Sequence, residues 1–533
     1  MYELRDVVPS FMLIILTLFL LFFFTKTTPK SSKPSKTKSH LALPKPYPII
    51  GHLFAFIGLT GQEIFQWLSK IIACSPTSTI VIHQPFGGQS VYTGNPVNVE
   101  HILKTKFHVY QKGRQFKTVF GDLFGGSVFT EDGDNWKFQR QILAQEFNYK
   151  SLQKFVEKAV EFEVSERLIP VLEDAAKNSK VIDLQDILQR FAFDNVCTVA
   201  FGYDPGYLSL PLPEAKFTEA FDECITICHE RFHSVFPTIW KTCRFFNIGS
   251  EKRLKELIKM IREFCATIVA STKQKMSNKK SHELHESNLL VKLLKCDQYD
   301  DELVIDIVIG FILAGRDTSS SALTWFFWLI HKNKHVENQI IQEIIFYEER
   351  IKKNGNLNTN SNFIKSSSSS SFVLEALKGM TYTHAALSET MRLYPPVPVD
   401  LKQAANDDIL PDGTKVKKGS IVGYFAQSMG WSEKLWGKDW AEFRPERWLK
   451  TDLTTEKLSF VPRDAYSYPV FLAGPRICLG KEMAYLQMKS VVAAILSRFK
   501  VVPAVAEGTE PVYFIETVAI MHGGFPVRIE ERV

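Results

Sequence analysis

Cysteine is scarce in this sequence. Eight cysteines are scattered through 533 residues, most of them inside apolar stretches. Disulfide frameworks belong to small secreted domains, so this usage argues against one and indicates a reducing compartment for most of the chain. Cys224 and Cys228 lie four residues apart, but no second ligand pair accompanies them. The spacing therefore favours a buried thiol pair over a metal site.

A strong excess of one charge is also missing. Sixty-four Lys and Arg residues face 58 Asp and Glu residues, which gives a formal net charge of +6. The lysines gather near the N-terminus rather than along a face with interleaved aromatic residues. We therefore expect no nucleic-acid partner.

Long internal linkers are the third absence. The chain is 45% hydrophobic and 23% charged, as in ordinary globular proteins. Length alone would suggest several domains, but nothing separates independent cores. We therefore predict one large domain over residues 52–533, with a core big enough to enclose a cofactor.

The N-terminus does contain a long hydrophobic run. Phe11 to Phe24 carries no charge, and with its flanks it reaches the roughly 20 residues that a bilayer span needs. A cleaved signal peptide would have a positive start and a small-residue cleavage site, and both are missing here. Lysines follow the run, so we predict a retained anchor over residues 1–25 with the main domain in the cytosol. Residues 26–51 are predicted to form a basic and proline-rich linker.

The main domain shows mostly helical periodicity. Apolar residues recur at three- and four-residue spacing over 252–272 and 336–352, whereas β-like runs are short, as at 78–83 and 420–424. This pattern predicts a fold that is mainly α with small β-sheets (α+β). The polar, Lys-rich stretch 271–287 is predicted to be a solvent loop.

One cysteine stands in a distinctive setting. Residues 471–480 read FLAGPRICLG, and a helical pattern follows at once. A cysteine before a helix N-terminus has a lowered pKa, because the helix dipole and free N–H groups stabilise the thiolate. Gly474 and Gly480 permit tight turns and close approach of a flat cofactor. Arg476 can pair with a carboxylate of that cofactor, and Phe471 can pack beside the sulfur of Cys478.

This decapeptide resembles the haem-binding loop of cytochrome P-450 enzymes. Every position of Phe-x-x-Gly-x-Arg-x-Cys-x-Gly is filled, by Phe471, Gly474, Arg476, Cys478 and Gly480. The resemblance implies a cytochrome P-450 fold and haem b as cofactor, with Cys478 as the axial iron ligand. It also implies a monooxygenase, because a thiolate ligand favours O–O cleavage.

A second motif, AGRDTSS at 314–320, lies inside a long apolar run. By itself it reads as a buried helix whose threonine bonds its own backbone and bends the helix. The resemblance implies a catalytic role: Thr318 and Asp317 would supply protons during oxygen activation.

Two further patterns are weak alone and become informative through their order along the chain. The resemblance pairs Glu389 and Arg392 of ETMR with Arg447 of FRPERW, as structural residues. Trp448 stands where the family usually has Phe.

Trp136 and Arg140 are spaced to share one helix face. The resemblance implies that both residues contact a haem propionate.

Longer segments are similar to the plant ω-hydroxylase branch, for example GDNWKFQRQILAQEFN and MHGGFPVRIEER. That branch implies hydroxylation at the far end of an amphipathic lipid, namely a fatty acid, a jasmonoyl–amino acid conjugate or a sterol side chain. Residues 116–128 are expected to line the substrate pocket. The other expected lining residues are apolar or small: Phe311, Ala314, Val397, Val399, Leu401, Ile515 and Thr517.

The resemblance also implies partners and location. Electrons would come from NADPH through NADPH–cytochrome P-450 reductase, with cytochrome b5 as a second donor, and no nicotinamide site is expected in this chain. The expected location is the endoplasmic reticulum membrane, single-pass, with the catalytic domain facing the cytosol. Two alternatives stay open: a hydroperoxide isomerase or lyase of the same fold, and a non-catalytic haem binder. Thr318 favours the monooxygenase over both.

Overall fold

A computed structural model describes residues 42–145, 147, 160–234, 236–277, 289–355, 370–452, 454, 458–506 and 508–532. The predicted anchor at 1–25 lies outside these residues, as does most of the predicted linker. Among the helices of the described part, none combines the length and apolar character needed to cross a bilayer.

Helices make up most of the described chain. They are α1 (Leu53–Phe56), α2 (Gly61–Cys74), α3 (Pro96–Glu100), α4 (Gly113–Phe124), α5 (Gly133–Ala144), α6 (Ile169–Lys177), α7 (Leu184–Val196), α8 (Lys216–His233), α9 (Pro237–Phe246), α10 (Gly249–Ser277), α11 (Leu289–Leu294), α12 (Asp301–Lys332), α13 (Lys334–Gly355), α14 (Ser370–Gly379), α15 (Thr381–Leu393), α16 (Ala426–Gly430), α17 (Glu433–Trp436) and α18 (Lys481–Leu496).

The strands are short and form small sheets at the edges of the helical body. They are β1 (Thr79–His83), β2 (Gln89–Thr93), β3 (Tyr110–Gln111), β4 (Val181–Asp183), β5 (Val399–Ala404), β6 (Asp408–Ile409), β7 (Lys415–Val416), β8 (Ile421–Phe425), β9 (Leu449–Thr451), β10 (Leu458–Phe460), β11 (Phe499–Pro503), β12 (Tyr513–Ile515), β13 (Ala519–Met521) and β14 (Pro526–Glu531).

Pairing of these strands joins distant parts of the chain. The largest sheet has the order β1-β2-β8-β5-β3, with β2 and β8 parallel and the other neighbours antiparallel. A second sheet has the order β11-β14-β4, and β12 and β13 form a hairpin. The expectation of a mainly α fold with small sheets is confirmed.

Helix α12 forms the centre of the molecule. Asp300 caps its start by accepting a hydrogen bond from the backbone N–H of Leu303 at 2.8 Å. Most of the helix is buried on all sides, as its apolar composition requires. Gly315 allows close packing against α7, because a Cβ there would lie 2.6 Å from Cγ2 of Val196.

The helical periodicities were largely correct. Residues 252–272 lie within α10 and 336–352 within α13. The predicted loop at 271–287 is wrong at its start, because α10 continues to Ser277. Thr272 is buried there and donates a hydrogen bond to the carbonyl of Ile268. Packing therefore extends the helix into a polar stretch that, by composition, reads as loop.

Candidate active site

The loop before α18 holds Cys478 in a fixed position. The backbone N–H of Cys478 donates to the carbonyl of Phe471 at 2.8 Å, which closes the loop. Gly474 has φ of +65°, and a Cβ at this residue would lie 2.2 Å from the carbonyl oxygen of Leu103. Glycine is therefore required at 474 both by conformation and by space. Gly480 needs no unusual turn, since its φ is −82°, so that part of the expectation is wrong.

The thiol of Cys478 faces an internal cavity. Cys478 is one of the residues that line this cavity, and its surface is exposed there. The expected lowering of the pKa of the Cys478 thiol is not found: burial raises this pKa, whereas backbone N–H groups of Gly480 and Lys481 and the cation of Arg140 oppose that shift. These donors are the groups that would stabilise a thiolate bound to a metal.

The cavity has a volume of about 1060 Å³ and joins the cysteine loop to the middle of α12. Phe116, Phe120 and Phe124, spaced four residues apart on α4, present one face to it, and Val128 follows. Four residues of the segment 116–128 therefore line the cavity. So do all seven other predicted lining residues: Phe311, Ala314, Val397, Val399, Leu401, Ile515 and Thr517.

The structure separates the predicted acid and alcohol of α12. Thr318 lines the cavity, and its hydroxyl donates to the carbonyl of Ala314 at 2.7 Å. Asp317 lies outside the cavity wall, with its carboxylate 3.3 Å from the guanidinium of Arg316. Burial raises the pKa of Asp317 to about 7, although Arg316 opposes the shift. Arg316 in turn makes two hydrogen bonds to Asp222 of α8, at 2.5 and 2.9 Å.

The predicted propionate residues meet at one end of the cavity. The guanidinium of Arg476 lies 4.5 Å from the ring centroid of Trp136 and donates to Asp132 at 2.7 Å. Arg140, one helical turn after Trp136 on α5, donates to the carbonyl of Ile477 beside the cysteine. The pattern W-x-x-x-R and the cysteine loop thus share one site, although 337 residues separate Arg140 from Ile477.

Sequence reasoning missed further charged residues at the same end. Lys112 and Lys402 both line the cavity and bind opposite oxygens of Asp400, at 2.8 and 2.6 Å. Burial lowers the pKa of Lys402 to about 7, although Asp400 opposes the shift. Burial by itself would raise the pKa of Asp400, but the two lysines hold it well below its usual range. No sequence motif marks these residues, since β5 meets the start of α4 only in the folded chain.

Glu389 lies at the centre of a buried ion network. Its two oxygens accept from Nε and Nη2 of Arg392 at 2.8 Å each, and from Nε of Arg447 at 2.8 Å. The indole N–H of Trp448 donates to the same carboxylate at 2.9 Å, a bond that the Phe usual in this position cannot make. The network ties α15 to residues 445–448 and lies outside the cavity wall.

Comparison with known proteins identifies the class. The family described as Cytochrome P450 matches residues 41–522. The chain is 49% identical to cytochrome P450 94A2 of Vicia sativa over 513 residues, which cover 96% of each protein. It is 48% identical to cytochrome P450 94A1 of Vicia sativa over 92% of this chain and 91% of that one, and 40% identical to cytochrome P450 94B1 of Arabidopsis thaliana over 96% and 95%. The chain belongs to the cytochrome P450 family and is an oxidoreductase of the monooxygenase type.

The site fits the haem that this family implies. Four cations converge at one end of the cavity, Lys112, Arg140, Lys402 and Arg476, whereas the carboxylates paired with them are Asp132 and Asp400. The surplus of positive charge matches the two carboxylates on one edge of a haem. The Cys478 sulfur lies in the wall of the same cavity, beside the Ile477 carbonyl that Arg140 binds, and is available as a ligand. Haem bound there supplies the iron chemistry that activates dioxygen.

Proposed function

We propose that this cytochrome P450 hydroxylates the terminal (ω) region of an amphipathic lipid, using dioxygen and electrons that originate from NADPH. The observation that carries the proposal is the cavity itself. The cavity is lined mainly by apolar side chains and has a volume of about 1060 Å³. Both Cys478 and Thr318 line it. An apolar cavity with few polar groups suits a hydrocarbon chain.

The residue roles follow from this geometry. Cys478 would bind the iron, while Arg476, Arg140 and Trp136 would hold the cofactor's carboxylates together with Lys112 and Lys402. Thr318 lines the cavity and would use its hydroxyl for proton delivery. Asp317 would have to exchange its contact with Arg316 before it could supply protons to Thr318.

The proposal includes the endoplasmic reticulum membrane as the location, with residues 1–25 as a single-pass anchor, 26–51 as a linker and 52–533 in the cytosol. Exposed apolar side chains support contact with a bilayer. Phe245 and Phe246 at the end of α9 are 83% and 63% exposed, and Ile49 within the linker is 75% exposed. Apolar groups at such exposure are typical of membrane or protein contacts. The proposed electron donors are NADPH–cytochrome P-450 reductase and cytochrome b5.

The test is turnover by the full chain reconstituted with the reductase in phospholipid vesicles. Long-chain fatty acids, a jasmonoyl–amino acid conjugate and a sterol are supplied separately, and product position is read by mass spectrometry. The proposal predicts NADPH-dependent hydroxylation near the methyl end of an acyl chain. Turnover of the sterol or of the conjugate alone would identify those alternative substrates.

Two results would contradict the monooxygenase proposal. Rearrangement of a lipid hydroperoxide without NADPH would indicate an isomerase or lyase. Haem-loaded protein that is reduced by the reductase and yet converts none of these lipids would indicate a haem binder.

A further inference from the structure

One face of helix α8 carries a row of polar side chains. Asp222, Thr226, His229 and His233 recur at spacings of four, three and four residues, which places them on the same side of an α-helix. The opposite side holds Cys224, Cys228 and other buried residues packed against α10. A polar row of this kind on a helix that borders an apolar cavity calls for partners.

The two histidines contribute to the cavity wall. Their rings lie 4.4 Å apart between centroids, and Phe232 between them lines the cavity as well. Within the described part of the chain, neither ring has a hydrogen-bond partner. Burial lowers the pKa of His229 to about 4 and also lowers that of His233, so both rings are neutral near pH 7. Each neutral imidazole then offers one N–H donor.

The other end of the row has the opposite character. Asp222 binds Arg316, two residues before Thr318, and Thr226 donates to Glu516 at 2.9 Å. Glu516 lines the cavity, and Asp222 and Asp317, which lie outside the cavity wall, are close enough for their charges to act on its carboxylate. An anionic ligand group would be repelled there.

The histidines and the acidic end of the row are well separated along α8. Asp222 and His233 are eleven residues apart, or about 16 Å along a helix. The surface between them is bordered by aromatic side chains of the cavity, including Phe120, whose ring centroid lies 6.5 Å from that of Phe232. An acyl chain along this path would have its two ends in different electrostatic surroundings.

We propose that His229 and His233 form the head-group subsite of the cavity and bind the carboxylate of a long-chain acid, while Glu516 keeps that carboxylate away from Thr318. This inference rests on the proposed function and deepens it, since it states how the methyl end of the substrate comes to lie near Cys478. Two adjacent donors match the two oxygens of a carboxylate better than the single oxygen of a sterol hydroxyl.

The test measures binding to the haem-loaded full chain by the change in its Soret spectrum. The probes are hexadecanoic acid, its methyl ester and a 3-hydroxysterol. Wild type is compared with the single and double changes His229→Phe and His233→Phe, and with His229→Gln/His233→Gln, which keeps N–H donors. His108→Phe is the matched control, because His108 is exposed and lies outside the cavity wall.

We expect the wild type to bind the acid more tightly than the ester. The double Phe change should weaken binding of the acid by about tenfold to a hundredfold, because hydrogen bonds to a charged group are lost. It should change the affinity for the ester by no more than about threefold. The Gln pair should retain part of the preference. In turnover, the Phe variants should spread hydroxylation over several positions near the methyl end.

Equal preference for the acid in wild type and in the Phe variants would overturn the head-group assignment, while ω-hydroxylation by both would leave the proposed function standing. Weakened binding of the sterol alone would overturn the choice of a carboxylate. Failure of every lipid to change the wild-type spectrum would remove the proposed function and this subsite together. If the double Phe variant does not load haem, the single variants test the head-group assignment by the same measure, the ratio of affinity for the acid to affinity for the ester.

Discussion

At the scale of single residues, Thr318 has two different hydrogen-bonding options. Its hydroxyl bonds the carbonyl of Ala314 at 2.7 Å, and the same oxygen borders the cavity. Thr324 makes the equivalent bond to Ser320 at 2.8 Å but is fully buried away from the cavity. Comparing Thr318 with Thr324 therefore distinguishes the effect of losing a hydrogen bond to the helix backbone from the effect of losing a hydroxyl in the cavity.

Thr318→Ala is therefore expected to lower the hydroxylated product formed per NADPH consumed by about tenfold or more, because a positioned proton donor is lost. NADPH consumption itself should continue. Thr324→Ala is the control and should keep the wild-type ratio of product to NADPH, whatever its effect on stability. Equal ratios in wild type and Thr318→Ala would show that the hydroxyl takes no part in proton delivery.

His384 on α15 gives a pH-dependent prediction. Its ring stacks on Tyr485 with centroids 3.9 Å apart, and burial lowers its pKa to about 3, with Lys489 and Lys481 adding to the shift. Between about pH 3 and pH 6.5 the unfolded chain binds a proton here that the folded chain does not. The folded state should therefore lose stability as the pH falls below 6.5, by at most about 1.4 kcal/mol per unit from this residue.

His384→Phe keeps the stacked ring and removes the titrating group. We expect its melting temperature to fall less between pH 7 and pH 5 than that of wild type. His108→Phe, at an exposed position, should follow wild type. A fall as steep in His384→Phe as in wild type would mean that His384 is not held neutral by the fold.

The sequence revealed those site residues whose chemistry is local. Residues 471–480 carry the cysteine, its glycines and its arginine within ten positions, so a short pattern was enough. The sequence did not reveal Lys112 and Lys402, because their role depends on a shared contact with Asp400. That contact forms only when folding brings β5 to the start of α4. The sequence did not reveal His229 and His233 as site residues, because a histidine pair on a helix indicates no particular chemistry until a cavity is seen beside it.

At the scale of secondary-structure elements, the Glu389 network shows how position changes the worth of an ion pair. Glu389 and Arg392 are three residues apart on α15, and both side chains are fully buried. Glu375 and Lys378 have the same spacing on α14, at 3.7 Å, with side chains 65% and 39% exposed. By spacing the two pairs look alike, and burial distinguishes them.

Glu389→Gln should cost about 3–5 kcal/mol, because it leaves the buried guanidinium of Arg392 without its counterion. We expect a lower melting temperature and a smaller yield of haem-loaded protein. Glu375→Gln is the matched control, with an expected change of about 0–1 kcal/mol. Similar melting temperatures for the two variants would contradict the structural importance of the buried network.

Element boundaries were the weaker part of sequence interpretation. Composition predicted a loop from residue 271, but α10 extends to Ser277 because Thr272 is buried within it. The two predicted β-like runs were located well, since 78–83 covers β1 and 420–424 covers most of β8. Their partners could not be predicted, because β2 pairs with β8 across more than three hundred residues.

At the scale of the whole molecule, the cavity is the feature that sequence reasoning could only outline. Its wall combines α4, α5, α8, α12, β5, the β12–β13 hairpin and the cysteine loop. The resemblance gave the residues expected to line it, and the folded chain gave its size and the distribution of charge around it. The acids near Thr318 and the imidazoles at the end of α8 become meaningful only when these elements are seen together.

The central claim is that this fold holds haem through the thiolate of Cys478, and it is tested most directly by the difference spectrum of the reduced, carbon-monoxide-bound protein. We predict a strongly red-shifted Soret band for wild type and its loss in Cys478→Ala, because the thiolate is the ligand that produces the shift. Cys74→Ala, at an exposed cysteine outside the cavity wall, should keep the band. A folded, haem-loaded wild-type protein without that band, or a Cys478→Ala variant that retains it, would contradict the account.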